Sequence, residues 1–402
     1  MSEARLRTAP PLWLIFAFTI TGVLANSVLT PNIPDVLSDL GQPSSRAGLL
    51  VAATPLPGIV MAPIIGILAD RYGRRQVLVP CLILFGIGGL ASSIAPTFAV
   101  LLATRFAQGI GGAGLINLAV VLIGDHWTGI DRTKIIGWNS AVLTVCLALI
   151  PSIAGVIGDL SSWRLALAMS SMSLPLAGIG WRLLPADRPG TRTTIGNQLR
   201  GAAAVLRQPA VLVIMIVGVV LFTVIFGVFL TALPVHLDER FGLSAGPRGL
   251  ILSTFAIGAT VASFNLGRMR ARWSARTMLV GASVIIAVTA AGLGLAPTVA
   301  LVVVASVAYG LGDGTAIPAL QDLVTSAAPA EQRASVMAAW VSGIRLGQTI
   351  GPLGAAALFA VTSTQTTMLI GAGVFAAVAV AMTVAPLPSD TDEPSSATTA
   401  ES

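Results

Sequence analysis

Hydrophobic residues fall into repeated runs of about 20 positions along this chain, separated by short polar stretches. A helix that rises about 1.5 Å per residue needs about 20 residues to cross about 30 Å of hydrocarbon. The alternating pattern of β-barrel strands, over roughly 10 residues, is not found. The runs therefore predict twelve transmembrane helices, at residues 12–35, 47–69, 76–95, 98–122, 134–158, 163–184, 211–235, 246–267, 276–296, 298–321, 334–358 and 365–386.

Composition supports an all-α integral membrane protein. Of the 402 residues, 55% are hydrophobic and 10% are charged, whereas soluble domains carry about 25% charged residues. A water-soluble surface cannot be built from this composition. The two cysteines, Cys81 and Cys146, lie inside predicted spans, which argues against a disulfide framework.

The basic residues between the spans are distributed unevenly. If both termini lie on one side, that side holds seventeen arginines and lysines and the other holds four. Because cytoplasmic loops carry the excess of positive charge, we expect both termini in the cytoplasm and the protein in the cell (plasma) membrane. The net charge of +6 reflects this topology, so no nucleic-acid partner is expected.

The second half of the chain repeats the first at an offset of 201 residues. Residues Ala95–Thr97 match Ala296–Thr298. The same offset places Gly109 on Gly310, Gly111 on Gly312, Arg132 on Arg333 and Pro151 on Pro352. Six spans per half is an even number, so the two halves enter the membrane in the same direction as parallel repeats, with a ligand site expected between them.

The repeat predicts the domain organisation: a six-helix bundle at 1–184, a cytoplasmic linker at 185–210, a second six-helix bundle at 211–386 and a disordered cytoplasmic tail at 387–402. The first run also resembles a signal peptide. Because it continues past Ala25 to spanning length and has a counterpart in the second half, we expect it to belong to the mature protein.

Between the second and third spans stands Gly66-Ile-Leu-Ala-Asp70-Arg71-Tyr72-Gly73-Arg74-Arg75. This segment resembles the signature loop of the major facilitator superfamily, and the resemblance extends over nearly the whole chain. The resemblance implies a gating role for Gly66, Asp70, Arg71, Gly73, Arg74 and Arg75. A carboxylate at this helix end can cap a neighbouring helix or pair with arginine in one conformation only. The alternative is that these arginines only determine on which side of the membrane the loop lies.

The fourth and fifth spans carry further resemblances. Arg105, Gln108 and the glycines after them are similar to a family motif in which a buried arginine serves proton coupling or substrate binding. The alternative is that Arg105 snorkels to the outer interface. The fifth span keeps Pro151 and Gly155 of the motif found in proton-driven antiporters but lacks its preceding glycine. The complete Gly-Pro pair, Gly351-Pro352, lies in the eleventh span, which leaves the direction of transport open.

Ionisable residues inside the spans are functional candidates, because charge in the bilayer is costly. Asp313 and Arg345 are either a structural ion pair or a proton-carrying or substrate-contacting set. Asp35 lies near the outer end of the first span and is either a proton site or a solvated or capping carboxylate. Asn26, deeper in that span, is expected to line the cavity.

Phe222, Phe226 and Phe229 follow helical spacing in the seventh span. Such a stripe fits either a pocket for apolar solutes or ordinary packing against lipid and neighbouring helices.

Several chemistries are excluded by missing residues. The single lysine, Lys134, does not follow glycine, so a P-loop is absent. The only histidines, His126 and His236, do not form a zinc motif. We expect no metal, no cofactor and no enzymatic activity.

These observations favour a proton-coupled exporter of a small, amphipathic drug-like solute, similar to the twelve-helix drug:proton antiporter group, that works as a monomer in the bilayer. A porter of a nutrient or organic anion is the first alternative, because two deep arginines outnumber one aspartate. A membrane sensor or enzyme that transports nothing is the second.

Overall fold

In a computed structural model, the chain folds into a bundle of long helices. The structure describes residues 9–185, 208–327 and 333–385, and these ranges contain twelve long helical segments and no strand. The segments are α1 (Leu12–Asp39), α2 (Ser44–Tyr72), α3 (Arg74–Ser93), α4 (Phe98–His126), α5 (Gly129–Leu160), α6 (Trp163–Ala168, Met169–Met172 and Ser173–Leu183), α7 (Pro209–Phe241), α8 (Ala245–Arg270), α9 (Ala275–Leu295), α10 (Val299–Ala327), α11 (Arg333–Phe359) and α12 (Thr364–Val384).

Ten of these helices are long and apolar enough to cross a membrane, counted over the described ranges. The other two, α6 and α11, are not among these ten. The predicted all-α membrane fold is confirmed, and every predicted span overlaps one helix. The largest differences are at helix ends, where α7 and α10 continue beyond the apolar run. Their polar last turns still close backbone hydrogen bonds, which a hydrophobic pattern does not register.

Each half of the chain has its own hydrophobic core. One core is built from buried residues between Leu14 and Leu184, and the other from buried residues between Val211 and Ala385. A third, smaller cluster contains residues of both halves, including Leu29 and Val235. Almost all of the predicted linker and tail lies outside the described residues, so the proposed domain boundaries stay predictions.

Two ends of the bundle are distinguished here. The terminal side is the end that holds Leu12 and Val384, and the opposite side is the end that holds Asp39 and Ala245. Near the opposite side the halves pack directly on each other, α5 against α8 and α2 against α11.

Glycines allow this close packing between the halves. A Cβ atom built on Gly249 of α8 would lie 2.3 Å from the carbonyl oxygen of Pro151 in α5. A Cβ on Gly48 of α2 would lie 1.9 Å from the carbonyl oxygen of Pro352 in α11. Because backbone cannot yield as a flexible side chain does, any larger residue at Gly48 or Gly249 would push the halves apart.

The two glycines of the predicted packing motif, Gly155 and Gly351, have different neighbours. Gly155 of α5 faces the other half, since its built Cβ would lie 2.2 Å from the carbonyl oxygen of Ala245. Gly351 of α11 faces α7 of its own half, with Thr223 as the nearest neighbour. All four residues of the predicted set therefore lie at tight helix contacts.

Candidate functional site

Arg105 lies fully buried in α4 and is bonded to two other helices. Its guanidinium donates hydrogen bonds to Ala25 O at 2.9 Å, Asn26 Oδ1 at 3.0 Å and Leu50 O at 3.3 Å. A fourth bond reaches Gln108 Oε1 at 3.5 Å. The interpretation of Arg105 as a snorkelling residue is therefore wrong, because α1 and α2 supply enough oxygens to hold the charge inside the bundle.

Asn26 connects this cluster to α2. Its Oδ1 also accepts a hydrogen bond from Thr54 Oγ1 at 2.9 Å. Among the described residues, the side-chain nitrogen of Gln108 has no hydrogen-bond partner, and the acceptors of Arg105 include no carboxylate. The first half thus presents a buried positive charge held by neutral oxygens, with one unused donor beside it.

Asp313 lies in α10 with a side chain that is 6% exposed. Over the part of the chain that the structure describes, its Oδ1 has no hydrogen-bond partner, and the same holds for the hydroxyl of Tyr309 one helical turn away. A carboxylate inside a membrane bundle is costly unless it is paired or protonated. In this conformation Asp313 therefore lacks, at Oδ1, a partner among the described residues that would offset this cost.

Aromatic rings pack beside Asp313. The ring of Tyr309 stacks on Phe229 of α7, with 5.3 Å between centroids, and Phe255 of α8 lies 5.0 Å from Phe229. These rings bring α7, α8 and α10 together next to the unpaired carboxylate.

The predicted phenylalanine stripe on α7 is split by a change in helix type. Residues Ile225–Ala232 form a π-helix, which takes more residues per turn than an α-helix. Phe222 and Phe226 contact each other at 6.4 Å and are partly exposed, while Phe229 turns into the bundle. The pocket and the packing interpretations of the stripe both stay predictions, and a π-turn is frequent at functional sites.

Arg345 of α11 approaches the first half at mid-depth. Its side chain runs beside Gly58 of α2, where a built Cβ would lie 3.2 Å from Arg345 Cδ. No ion pair joins Arg345 to Asp313 among the described residues, so the structural-pair interpretation is wrong for this conformation. Sequence spacing placed both residues deep in the bundle but could not show that α11 turns its arginine toward α2.

Asp35 forms an ion pair between the two halves at the opposite side. Its Oδ2 accepts a hydrogen bond from Arg248 Nη2 of α8 at 2.5 Å. Arg248 is fully buried, and its Nη1 lies 3.4 Å from Asp238 Oδ1 of α7. The predicted roles for Asp35, a proton site or a solvated or capping carboxylate, did not include this ion pair between the halves.

A second carboxylate closes the same side. Asp159 of α5 accepts hydrogen bonds from Ser244 Oγ at 2.8 Å and from the backbone N–H of Gly246 at 2.9 Å. Asp159 therefore caps the first turn of α8, where a negative charge is favourable. Deeper in the bundle, Ser152 Oγ bonds to Ser253 Oγ at 2.7 Å, which also joins α5 to α8.

The predicted gating segment lies at the terminal side. Arg74 pairs with Asp70 one turn earlier, and its Nε lies 3.0 Å from Asp125 Oδ2 of α4. Both contacts stay within the first half. Gly73 has a φ of +100° at the turn from α2 to α3, a conformation that side-chain-bearing residues rarely adopt. A Cβ on Gly66 would meet nothing within 4 Å among the described atoms, so no neighbouring helix packs closely against Gly66 in this conformation.

The two remaining arginines of the segment have different roles. Arg71 lies over the ring of Tyr72, 5.3 Å from its centroid. Arg75 donates to the carbonyl oxygens of Trp181 and Leu184 at 3.4 and 3.5 Å, so it caps the end of α6. Arg75 thereby fastens α3 to α6, a structural contact that its place in the signature loop did not predict.

Sequence reasoning missed Arg248, Asp238 and Asp159. All three stand at predicted span ends, where charges were assigned to topology. The sequence signal that could have identified this ion pair is the position of Arg248, which falls inside the eighth predicted span rather than before it. Over the described ranges, no group of three or more His, Cys, Asp or Glu residues is placed to hold a metal ion.

The model of the Major Facilitator Superfamily matches residues 14–248 and 215–401 of the chain. Together with the twelve-helix fold and its buried charges, this match shows that the chain belongs to that superfamily of membrane transporters.

Known relatives are exporters and resistance proteins by name. The chain is 25% identical over 341 residues to the bacillibactin exporter of Bacillus subtilis, which covers 82% of this chain and 85% of the relative. It is 26% identical over 372 residues to a chloramphenicol resistance protein of Streptomyces lividans, covering 92% and 94%. Its fold resembles a bacterial homologue of the human lysosomal transporter Spinster, with a TM-score of 0.74, 16% identity and coverage of 95% and 97%.

Proposed function

We propose that this protein exports a small solute in exchange for protons, by alternating access of one central site to the two sides of the membrane. The observation that carries the proposal is Asp313, a buried carboxylate with no hydrogen-bond partner at Oδ1 among the described residues. A proton that enters down the membrane potential supplies about 2.3 kcal/mol per 100 mV, enough to drive concentrative export.

In this proposal Asp313 carries the proton, and the polar cluster of the first half contacts the solute. Arg105, Asn26 and Gln108 provide that cluster. Arg345 of the second half lies beside Gly58 of α2, one helical turn from Thr54, which bonds to Asn26. Of the aromatic rings beside Asp313, Phe229 and Tyr309 are buried in this conformation, and the partly exposed Phe255 offers apolar surface to an amphipathic solute. The names of the relatives, an exporter and a drug-resistance protein, support outward transport.

Alternating access needs contacts that hold each side closed in turn. At the opposite side, the Asp35–Arg248 pair and the Asp159 cap join the halves in this conformation. We assign Asp35 to the closure of the opposite side rather than to proton uptake. At the terminal side, the segment from Gly66 to Arg75 supplies the contact for the other conformation, with Asp70 moving from Arg74 to the second half. The excess of arginine at the terminal side supports a cytoplasmic location for both termini in a plasma membrane.

The proposal is tested with purified protein in acid-loaded proteoliposomes, with chloramphenicol as the first external solute. Solute-triggered proton efflux is expected for the wild type. Asp313→Asn should abolish it, while Asp39→Asn, an exposed carboxylate paired with Arg164, should keep it. Normal coupled flux in Asp313→Asn would remove Asp313 from the mechanism. A wild type that moves no proton with any solute of a chemically broad panel would overturn proton exchange.

A second candidate is the uptake or export of an organic anion. It is favoured by the two deep arginines, since Arg105 is held by neutral oxygens and Arg345 has no carboxylate partner among the described residues. Proton-coupled flux that is triggered by organic anions, but by no neutral or cationic solute of the panel, would select this candidate.

A further inference from the structure

A pocket of about 810 Å³ opens on the outer surface of the first half, between α3 and α6. Its walls are mainly apolar and include Ile83, Leu174, Pro175 and Ile179. Gly178 contributes no side chain to it, and a Cβ built there would meet nothing within 4 Å. The pocket therefore has the width and the surface chemistry to hold a hydrocarbon chain.

One end of the pocket is positively charged. Trp181 and Arg182 line it at the terminal side, and both side chains are exposed. The guanidinium of Arg75 lies 4.5 Å from the ring centroid of Trp181. Among the described residues that line the pocket, none is acidic. An apolar groove thus ends at a tryptophan and an arginine, the residues that suit the headgroup zone of a bilayer.

We propose that this pocket binds one anionic phospholipid, with an acyl chain between α3 and α6 and the phosphate at Arg182. Each buried methylene of an acyl chain stabilises binding, whatever the headgroup. Basic residues between transmembrane helices add preference for an anionic headgroup. The site is independent of the transported solute and of the direction of transport.

The second half contains the matched position without these features. At the offset of 201 residues, Trp181 corresponds to Met382 and Arg182 to Thr383. The underlying helix contact is the same, because Arg276 bonds to Met382 O and Ala385 O as Arg75 bonds to Trp181 O and Leu184 O. The cation and the aromatic ring are therefore present in only one copy of this common scaffold.

The test counts lipids bound to the purified full chain in detergent by native mass spectrometry. The protein is titrated with dioleoyl phosphatidylglycerol or with dioleoyl phosphatidylcholine. We expect the wild type to bind one phosphatidylglycerol about fivefold more tightly than phosphatidylcholine, the size expected of one arginine near the phosphate. Arg182→Gln should remove this preference, whereas Arg272→Gln, an exposed arginine at the terminal side of the second half, should keep it.

A second pair of variants tests the acyl-chain site. Gly178→Leu fills the pocket and should lower binding of both lipids, while Gly373→Leu, at an exposed glycine of α12 with open space, should not. An unchanged preference in Arg182→Gln would overturn the headgroup assignment. Equal lipid binding by the Gly178 and Gly373 variants would overturn the pocket as the site. Arg182 is exposed, so its variant remains decisive if Gly178→Leu fails to fold.

Discussion

Asp35 and Arg248 lie 213 residues apart in the sequence and form a 2.5 Å hydrogen bond between the two halves of the protein. The arginine is fully buried, while the aspartate side chain remains 45% exposed. Arg248 also faces Asp238 of its own half at 3.4 Å. Arg248 therefore contacts two carboxylates, and of these two only Asp35 belongs to the other half.

This difference between the two carboxylates gives a direct prediction. Asp35→Asn should release the first half from Arg248 and shift the protein toward a conformation open at the opposite side. A hydrogen bond to a charged group contributes about 1.5–3 kcal/mol, so the population should change about tenfold or more. Labelling of a cysteine placed at Ser152 by an impermeant maleimide, in a variant without Cys81 and Cys146, measures that opening.

Asp238→Asn is the matched control for this prediction. It also removes one carboxylate from Arg248, but the lost contact lies within the second half. We expect its labelling rate to stay closer to that of the wild type. Equal labelling of both variants would show that Arg248 responds to total charge rather than to the contact between halves.

Gly249 gives a prediction about packing at the same interface. Gly249→Ala adds a Cβ atom 2.3 Å from the Pro151 carbonyl oxygen, and overpacking of this kind costs about 1–3 kcal/mol. We expect slower turnover and faster labelling at Ser152, because the closed arrangement of α5 and α8 is disfavoured.

The control for Gly249 is Gly137→Ala in α5. A Cβ built on Gly137 meets nothing within 4 Å among the described atoms. Because alanine suits a helix better than glycine by roughly 0.5–1 kcal/mol, this variant should melt at the same or a higher temperature. A Gly249→Ala protein with normal turnover and wild-type labelling would contradict the tight contact.

The internal repeat predicted more of the structure than helix positions alone. The offset of 201 that aligns Arg75 with Arg276 also aligns their hydrogen-bond acceptors at the ends of α6 and α12. Helices, their order and this duplicated contact follow from hydrophobic length and self-similarity. Hydrophobic length and self-similarity are local or periodic properties, so both can be read from a single sequence.

Contacts between the halves could not be predicted in the same way. They break the repeat, since Arg248 corresponds to Ala47 and Asp313 corresponds to Gly112 at that offset. Which faces of two helices meet depends on helix rotation, and a π-helical turn such as that in α7 changes the rotation within a single span. Arg105, Asp313 and Arg345 were recognisable from the sequence as buried charges, whereas Arg248 and the hydrogen-bond partners were not.

Arg105 gives a prediction about stability. Its fork of donors reaches acceptors on α1, α2 and α4, which a lysine cannot satisfy together. Arg105→Lys keeps the charge but should lose about two of these bonds, so the melting temperature in detergent should fall by several degrees. Gln108→Leu removes only the 3.5 Å bond and should have a smaller effect. An unchanged melting temperature for Arg105→Lys would show that this network does not hold α1, α2 and α4 together.

The last prediction concerns Asp70 and separates a gate from a structural ion pair. Its side chain is 71% exposed in the pair with Arg74, and exposed pairs stabilise proteins by only about 0–1 kcal/mol. Asp70→Asn should therefore leave the melting temperature of this conformation nearly unchanged.

If Asp70 caps a helix of the second half in the other conformation, its loss removes about 0.3–2 kcal/mol from that state alone. Turnover in proteoliposomes should then fall several-fold while solute binding to the detergent-purified protein is retained. Asp131→Asn, which removes an exposed carboxylate at the terminal side outside this segment, serves as the control for local charge. A lower melting temperature for Asp70→Asn with normal turnover would assign Asp70 to the stability of the first half instead of to gating.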